Sequence, residues 1–507
     1  MDIQDQSAAV AFLHRPESYG STDEVKVIET HISLVFLTGD RAYKLKRAIK
    51  LPYADFSTLD LRRAYCLREL ELNGRATPEL YLGVRTITRQ ADGSLAFDGG
   101  GEPLDVVVEM ARFAQDDLFD CMAAEGRLSA GLMEETAAMV AAFHARAPVI
   151  HLTSGSANIK AVLAINGAGF ATSHVFGGEE IARLTEAFRS AWAVHAKALD
   201  RREKAGKVRL CHGDLHLRNI FMGANGPRLF DCIDFNDQIA TVDVLYDLAF
   251  LLMDLWHREH ADFASIVVNR YLDVTGDEGD FALLPFFMAV RAAVRAHVTA
   301  TQVEEGGGVS EALVASARSY FDFAETLLRP GKPRLIAIGG LSGSGKSTLA
   351  EKLAPLVGGP PGARIEESDR VRKAMYGSAA DTRLPLEAYR LEVSERVYAT
   401  LCRRAGEIVA AGSTVIVNAV FDREPDRRAV EEVATKLSVP FSGIWLDADA
   451  DTLMSRVAAR PHGVSDATVD VVRKQIDGDI GSISWHRLDA TLPIDVVVKA
   501  AVRLSAG

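Results

Sequence analysis

The chain has 507 residues, 48% of them hydrophobic and 25% charged, with a formal net charge of −12. This is the composition of a globular protein too long for one hydrophobic core, so two to four folding units are expected. The acidic balance disfavours long nucleic acid as a main partner, though not a short oligonucleotide end, because phosphate binding needs a basic surface.

Strand-like alternation opens the chain with VKVIET (25–30) and ISLVFL (32–37), followed by a Thr-Gly-Asp turn and RAYKLKR (41–47). A helical stretch from about Ser57 to Arg75 comes next, then YLGVRTITR (81–89) and LDVVVEMARF (104–113) around a Gly-rich turn at 99–101. This order predicts a five-stranded sheet with one helix. From Leu118 the pattern is helical and Ala-rich until HGDLHLRN (212–219), a turn at Ala224-Asn225-Gly226, and the strand-like LFDCIDF (229–235). That spacing suits a kinase-type catalytic loop. Asp214 would meet the acceptor hydroxyl, Asn219 and Asp234 would hold Mg²⁺, and His212 would brace the loop. Asp231 also lies near the metal register, and counting back from Asp247 favours Asp234. Asp243 and Asp247 are read as bracing carboxylates.

FALLPFFMAV (281–290) is broken by Pro285 and closed by Arg291, so no apolar run of membrane-spanning length is read here. A last helix is expected at 310–328, and RPGKPR (329–334) reads as a linker. Beyond it, strand-like LIAIGG, RIEES, TVIVNAV, FSGIWLDA and IDVVV alternate with helices, which predicts an α/β parallel sheet. The first strand runs into GLSGSGKST (340–348), which fits G-x-x-x-x-G-K-[ST] in full. Gly340, Ser342, Gly343, Ser344 and Gly345 would curl backbone N–H groups around phosphate, with Lys346 on the β/γ oxygens and Ser347 and Thr348 opening a helix, the Ser347 hydroxyl on Mg²⁺. This is a nucleotide triphosphate site by its spelling.

Residues 24–328 resemble the aminoglycoside phosphotransferase family, a small-molecule branch of the protein-kinase-like bilobal α+β fold, through HGDLHLRN, IDF, YDLAF (246–250) and, more faintly, FHA (143–145). The resemblance implies a first domain over 1–328, with a small lobe at about 24–113 and a large lobe at about 114–328. It also implies a strand lysine on the α/β phosphates paired with a helix glutamate. Lys44 and Lys46 share a strand face and the sequence does not choose between them; Lys44 is preferred for its distance from the turn, with Glu69 as partner and Glu71 behind it. Glu109 begins a hinge-like EMAR that would hold adenine with backbone groups. The first hairpin carries ETHIS (29–33) and no Gly-rich motif, so the phosphate cover must be built differently.

Residues 335–507 resemble the P-loop small kinases that include gluconate kinase, zeta-toxin-like kinases and the kinase domain of polynucleotide kinase. That resemblance assigns Asp369 as acceptor of the hydroxyl proton, Arg372 as the grip on the acceptor, and Arg456 and Arg460 as lid arginines on the transferring phosphoryl group. Asn418 stands in TVIVNAV where an acidic residue often sits, which weakens the case for metal-dependent turnover. The expectation is a bifunctional kinase acting on a small-molecule hydroxyl with ATP and Mg²⁺. The alternatives are an active first domain with a nucleotide-sensing P-loop domain, or a 5'-hydroxyl polynucleotide kinase at the C-terminal end. The N-terminus MDIQDQSAAV carries no secretory pattern, and five cysteines, odd in number and without C-x-x-C, read as reduced thiols of a cytoplasm.

Overall fold

A computed structural model describes residues 4–51, 54–305, 310–379, 382–459 and 465–506. These residues form two compact units, one running to Asn158 and including Leu199–Leu251, the other made of Ile159–Ala198 and Leu252 onward.

The first unit contains a sheet of six strands where five were expected. The addition is Leu95–Phe97, which pairs antiparallel with Tyr81–Arg89 and closes the Gly-rich turn into a hairpin. Lys26–Glu29, Ser33–Thr38, Arg41–Lys46 and Glu102–Ala111 are sheet neighbours in that order. One helix, Leu59–Gly74, packs beneath; it starts where the Thr58 hydroxyl accepts from Leu61 N–H at 3.3 Å. Its buried residues Arg62, Cys66, Glu69 and Asn73 fall at helical spacing on one stripe. Glu69 is therefore a carboxylate on a buried face, a position tolerated only with cationic partners. The turn at Ala224-Asn225 joins strands Ile220–Gly223 and Gly226–Leu229 as expected.

The second unit carries a five-stranded, wholly parallel sheet in the order Arg364–Glu367, Val415–Asn418, Leu335–Gly339, Phe441–Asp447 and His486–Asp489. The fifth strand is not IDVVV, which lies in the helix Ile494–Ser505. Pro493 stands at its N-cap, and Val497, Val498 and Ala501 recur at helical spacing to bury one face against the sheet. The helices Ala261–Thr275 and Glu311–Leu327 belong to this same unit, so the compact units divide elsewhere than at 329–334. A buried polar network explains the association. Arg364, at the start of the edge strand, holds Asp273 at 2.7 Å and Glu366 at 3.1 Å. Asn269 completes that strand's edge, its side chain accepting from Ile365 N–H at 2.8 Å and donating to the Ala363 carbonyl at 3.2 Å.

One segment, Glu278–Glu304, is by length and composition apolar enough to cross a membrane, more than the reading of FALLPFFMAV allowed. Its most apolar window is 67% buried inside the structure, as in the core helix of a globular fold.

Candidate active sites

In the first unit, strand alternation sends Lys44 and Lys46 to one face, and both reach Glu69. Lys44 Nζ lies 2.8 Å from one carboxylate oxygen and Lys46 Nζ 2.7 Å from the other. Each lysine then takes a different aspartate: Lys44 contacts Asp231 at 2.6 Å and Lys46 contacts Asp234 at 2.5 Å. Burial alone would raise the Glu69 carboxyl, but the two lysines outweigh it and hold it down, to about 2. Burial likewise works against charge on Lys44, yet Asp231 and Glu69 keep it firmly protonated. Asp234 goes the other way, pushed up to about 6 by burial with Glu69 adding, against the pull of Lys46.

A cavity of about 470 Å³ opens over this cluster, lined by Lys44, Asp214, Asp231 and Asp234 among others. Lys46 lies behind it. Val35, Ala42, Leu80, Met110 and Phe113 give one end an apolar wall, and Phe113 stacks on Phe221 with centroids 4.3 Å apart. Thr30, His31, Ile32 and Ser33 line it from the first hairpin, folded tight by the Thr30 hydroxyl accepting from Ser33 N–H at 2.9 Å. Here ETHIS stands where a Gly-rich cover would. Glu109 is not among the lining residues. It pairs across the sheet with Tyr43, on the face opposite Lys44, and engages the Tyr43 hydroxyl at 3.2 Å and Arg85 at 3.1 Å.

The loop that carries Asp214 is held from several directions. Asp247 accepts from the backbone N–H of His212 at 3.1 Å and of Gly213 at 2.9 Å, and contacts His144 Nε2 at 3.1 Å. FHA, HGDLHLRN and YDLAF thus meet at one carboxylate. Asp243 is clasped by buried Arg202 at 2.6 and 2.8 Å. His212 donates from Nε2 to the Phe230 carbonyl at 2.9 Å, a bracing role as expected. Asn219 donates to Asp214 Oδ2 at 2.9 Å. His216 Nδ1 accepts from Arg218 N–H, which leaves the proton on Nε2, 3.3 Å from the same oxygen. Asp231, held at φ +61 with its N–H donating to the Tyr81 hydroxyl at 3.0 Å, emerges as a cleft residue beside Asp234. A buried carboxyl raised by desolvation, with two further aspartates in the same cavity, is an oxygen set suited to Mg²⁺.

In the second unit, the loop 340–345 needs its glycines. A Cβ on Gly340 would lie 2.7 Å from the Leu446 carbonyl, and one on Gly343 2.6 Å from that of Leu453. Both, like Gly345, have positive φ. Ser342 N–H donates to Gln475 at 2.9 Å, Lys346 Nζ folds back to the Leu341 carbonyl at 3.0 Å, and the buried Ser344 hydroxyl has no partner among the described residues. The helix Lys346–Val357 begins without a side-chain cap, so its N–H groups face the loop as an anion seat. A cavity of about 440 Å³ beside it is lined by Gly343, Ser344, Gly345, Thr348, Arg456 and Leu492. Arg456 donates to the Ala490 carbonyl at 2.8 Å on this side, and Arg460 lies outside the described residues.

The sequence reading missed Glu367. Parallel register sets it beside Asn418, and its carboxylate accepts from the Ser347 hydroxyl at 2.5 Å. Asn418 Nδ2 donates to both, at 3.1 Å to Ser347 and 3.3 Å to Glu367. The acidic group absent from one strand end is supplied by its neighbour. Asp369, two residues on, has its carboxyl raised by burial and by Glu367. Arg372 stacks over the Tyr389 ring at 4.9 Å and donates to the Ala388 carbonyl at 2.6 Å; its buried Nε has no partner among the described residues.

Residues 125–284 match the phosphotransferase enzyme family, and residues 335–478 match the AAA domain. The chain joins two ATP-using kinase-type segments, of a class that works with Mg²⁺. An uncharacterised protein of Mycobacterium tuberculosis is 29% identical over 492 residues, spanning 94% of this chain and 95% of the relative; one of Mycobacterium bovis matches to the same extent. Among solved structures, a choline/ethanolamine kinase family protein from Mesorhizobium loti aligns at 14% identity over 64% of this chain and 94% of its own, TM-score 0.40. A gluconokinase from Sinorhizobium meliloti aligns at 20% identity over 35% and 93%, TM-score 0.26.

Proposed function

We propose that the chain is a phosphotransferase with two kinase modules, each moving the γ-phosphoryl group of ATP to a hydroxyl of a small molecule. The observation that carries the first module is the shared cavity of Lys44, Asp214, Asp231 and Asp234. Asp214, oriented by Asn219 and His216, takes the hydroxyl proton as the acceptor oxygen bonds to the γ-phosphorus. The bond to the β-phosphate oxygen breaks, and Lys44 meets the charge left on ADP. Asp234, Asp231 and Asn219 would hold Mg²⁺, which when bound offsets triphosphate charge. In the second module Asp369 takes the proton, Arg372 grips the acceptor, and Lys346 and the helix N-terminus receive the phosphates. Ser347 and Glu367 would hold the metal there, and that pairing favours turnover over the sensing-only reading suggested by Asn418. Five cysteines, none of them in a disulfide, suit a cytoplasmic setting.

The test is ATP consumption by the full chain against a panel of hydroxyl metabolites, repeated with Asp214→Ala and Lys346→Ala. Each variant should abolish one activity and spare the other. If no acceptor raises ATP consumption in any form, the kinase reading fails. If Lys346→Ala changes nothing while Asp214→Ala abolishes everything, the second module is a sensor.

A further inference from the structure

The helix Ala261–Thr275 lies within the span matched to the phosphotransferase family, yet it packs in the second unit, against the strand that ends in Glu367. Its Asp273 is shared. One oxygen holds Arg364 at 2.7 Å; the other lies 3.2 Å from Arg370 Nε and 3.2 Å from Arg270. Arg370 Nε in turn donates to Glu367 Oε2 at 3.1 Å, and Glu367 Oε1 receives the Ser347 hydroxyl. A continuous line of contacts of 3.2 Å or less therefore runs from a helix of the phosphotransferase segment to the P-loop serine. Along it Asp273, Arg370 and Glu367 have side chains only 8, 15 and 12% exposed, so solvent screens them weakly.

We propose that Asp273 is a positioning residue for the P-loop metal site, setting the affinity of the Glu367–Ser347 pair for a divalent cation by balancing the charge of Arg370. This rests on the reading of Glu367 as a metal-holding residue. The guanidinium beside Glu367 competes with any cation for the same carboxylate. Asp273 offsets that competition without itself reaching the serine, while Arg370 fixes the Glu367 rotamer. The two residues must then act with opposite sign. Asp273→Asn leaves Arg370 uncompensated and weakens cation binding; Arg370→Met removes the competitor and strengthens it, while sparing the Asp273–Arg364 contact that holds the fold. For a unit charge weakly screened and one residue removed, each shift is about 3–10-fold.

The experiment measures Mn²⁺ binding to the full chain by electron paramagnetic resonance with a non-hydrolysable ATP analogue, the second site being the component lost in Lys346→Ala. Expected are a weaker site in Asp273→Asn, a tighter one in Arg370→Met, and a strongly weakened one in Glu367→Gln. Shifts of the same sign in the first two, or none in either, overturn the proposal even when Glu367→Gln weakens binding. An unchanged site in Glu367→Gln overturns the underlying assignment of Glu367, and the proposal with it. Melting of each variant separates loss of fold from loss of metal, since destabilisation alone cannot tighten a site.

Discussion

Replacing Lys46 and Lys44 separately with methionine distinguishes a buried clamp from a ligand-facing cation, two roles that identical side chains on one strand face cannot reveal in sequence. Lys46 and its partners Glu69 and Asp234 are 1, 1 and 6% exposed, so Lys46→Met strands carboxylates that water cannot reach. Breaking a buried pair in this way costs about 3–5 kcal/mol. Glu69 keeps Lys44, and Asp234, already pushed up to about 6, escapes by taking a proton, which places the loss near the lower end, about 3 kcal/mol. For a unit of about 200 residues that is a fall in Tm of about 6–12 °C.

The escape also sets a pH signature. A carboxyl raised in the folded state binds more protons there than in the unfolded chain, so stability falls as pH rises from the unfolded value toward the folded one. In the parent that decline ends near pH 6; in Lys46→Met, with Asp234 raised further, it continues above pH 6, and the gap between the two proteins widens toward pH 8. Lys44→Met should cost only about 1 kcal/mol, because Asp231 is 47% exposed and rehydrates, but should weaken ATP-analogue binding about 10–100-fold through loss of a charged phosphate contact. Denaturant melts at pH 6 and 8 and calorimetric titration read the two effects. A Lys46→Met protein as stable as the parent, or a Lys44→Met protein with unchanged affinity, refutes the assignment.

Asp214→Ala should lower transfer by the first module about 10²–10⁴-fold with nucleotide affinity nearly unchanged, read by steady-state rates beside calorimetry; a matching loss of affinity would place the residue on the nucleotide instead. His297, whose ring donates to Asn166 at 3.2 Å, is depressed by burial to about 4, so the folded form resists protonation and stability is lost as pH falls from about 6.5 toward 4. His297→Gln should remove about 2 kcal/mol of that decline in urea melts at pH 7.5 and 4.5, and equal slopes in both proteins would contradict it. A fragment beginning at Leu335 should be less stable than the same residues in the full chain, because Arg364 loses Asp273 and Ile365 N–H loses Asn269. A fragment with native circular dichroism and a parental melting point would show that these contacts contribute nothing.

Local chemistry was legible in sequence where one segment carries it whole. GLSGSGKST fixes loop, lysine and serine within nine residues, and HGDLHLRN carries the proposed base and metal amide within eight. What depends on register between segments was hidden. Glu109 read as the start of an adenine hinge; pairing with Tyr43 turns its side chain to the face opposite Lys44, a fact held by neither strand alone, while Met110, Ala111 and Arg112 of the same segment line the cavity. Glu367 and Asn418 are likewise neighbours only because parallel pairing aligns them. IDVVV has the β-branched composition of a strand, but Pro493 before it and Ala501 after it complete a helical stripe. RPGKPR has the composition of a boundary, while Asn269 and Asp273, which tie the preceding helices to the P-loop sheet, lie more than fifty residues before it in a stretch with no motif.

The pairing of Glu367 with Asn418 also accounts for an amide where a carboxylate is more familiar. Ser347 donates its proton to Glu367, so its oxygen needs a donor, and Asn418 Nδ2 supplies one to the serine and another to Glu367. An aspartate in the same place could donate to neither and would put a third carboxylate against Glu367 and Asp369, whose carboxyl is already raised by burial and by its neighbour. With the acid on one strand end and the donor on the next, a single carboxylate sits on the serine, and Arg370 Nε donates to its second oxygen. The strand that ends in Glu367 is the one whose edge is held by Asn269, and Asp273 reaches Glu367 through Arg370, so the serine's carboxylate partner is tied to the helix beside that strand.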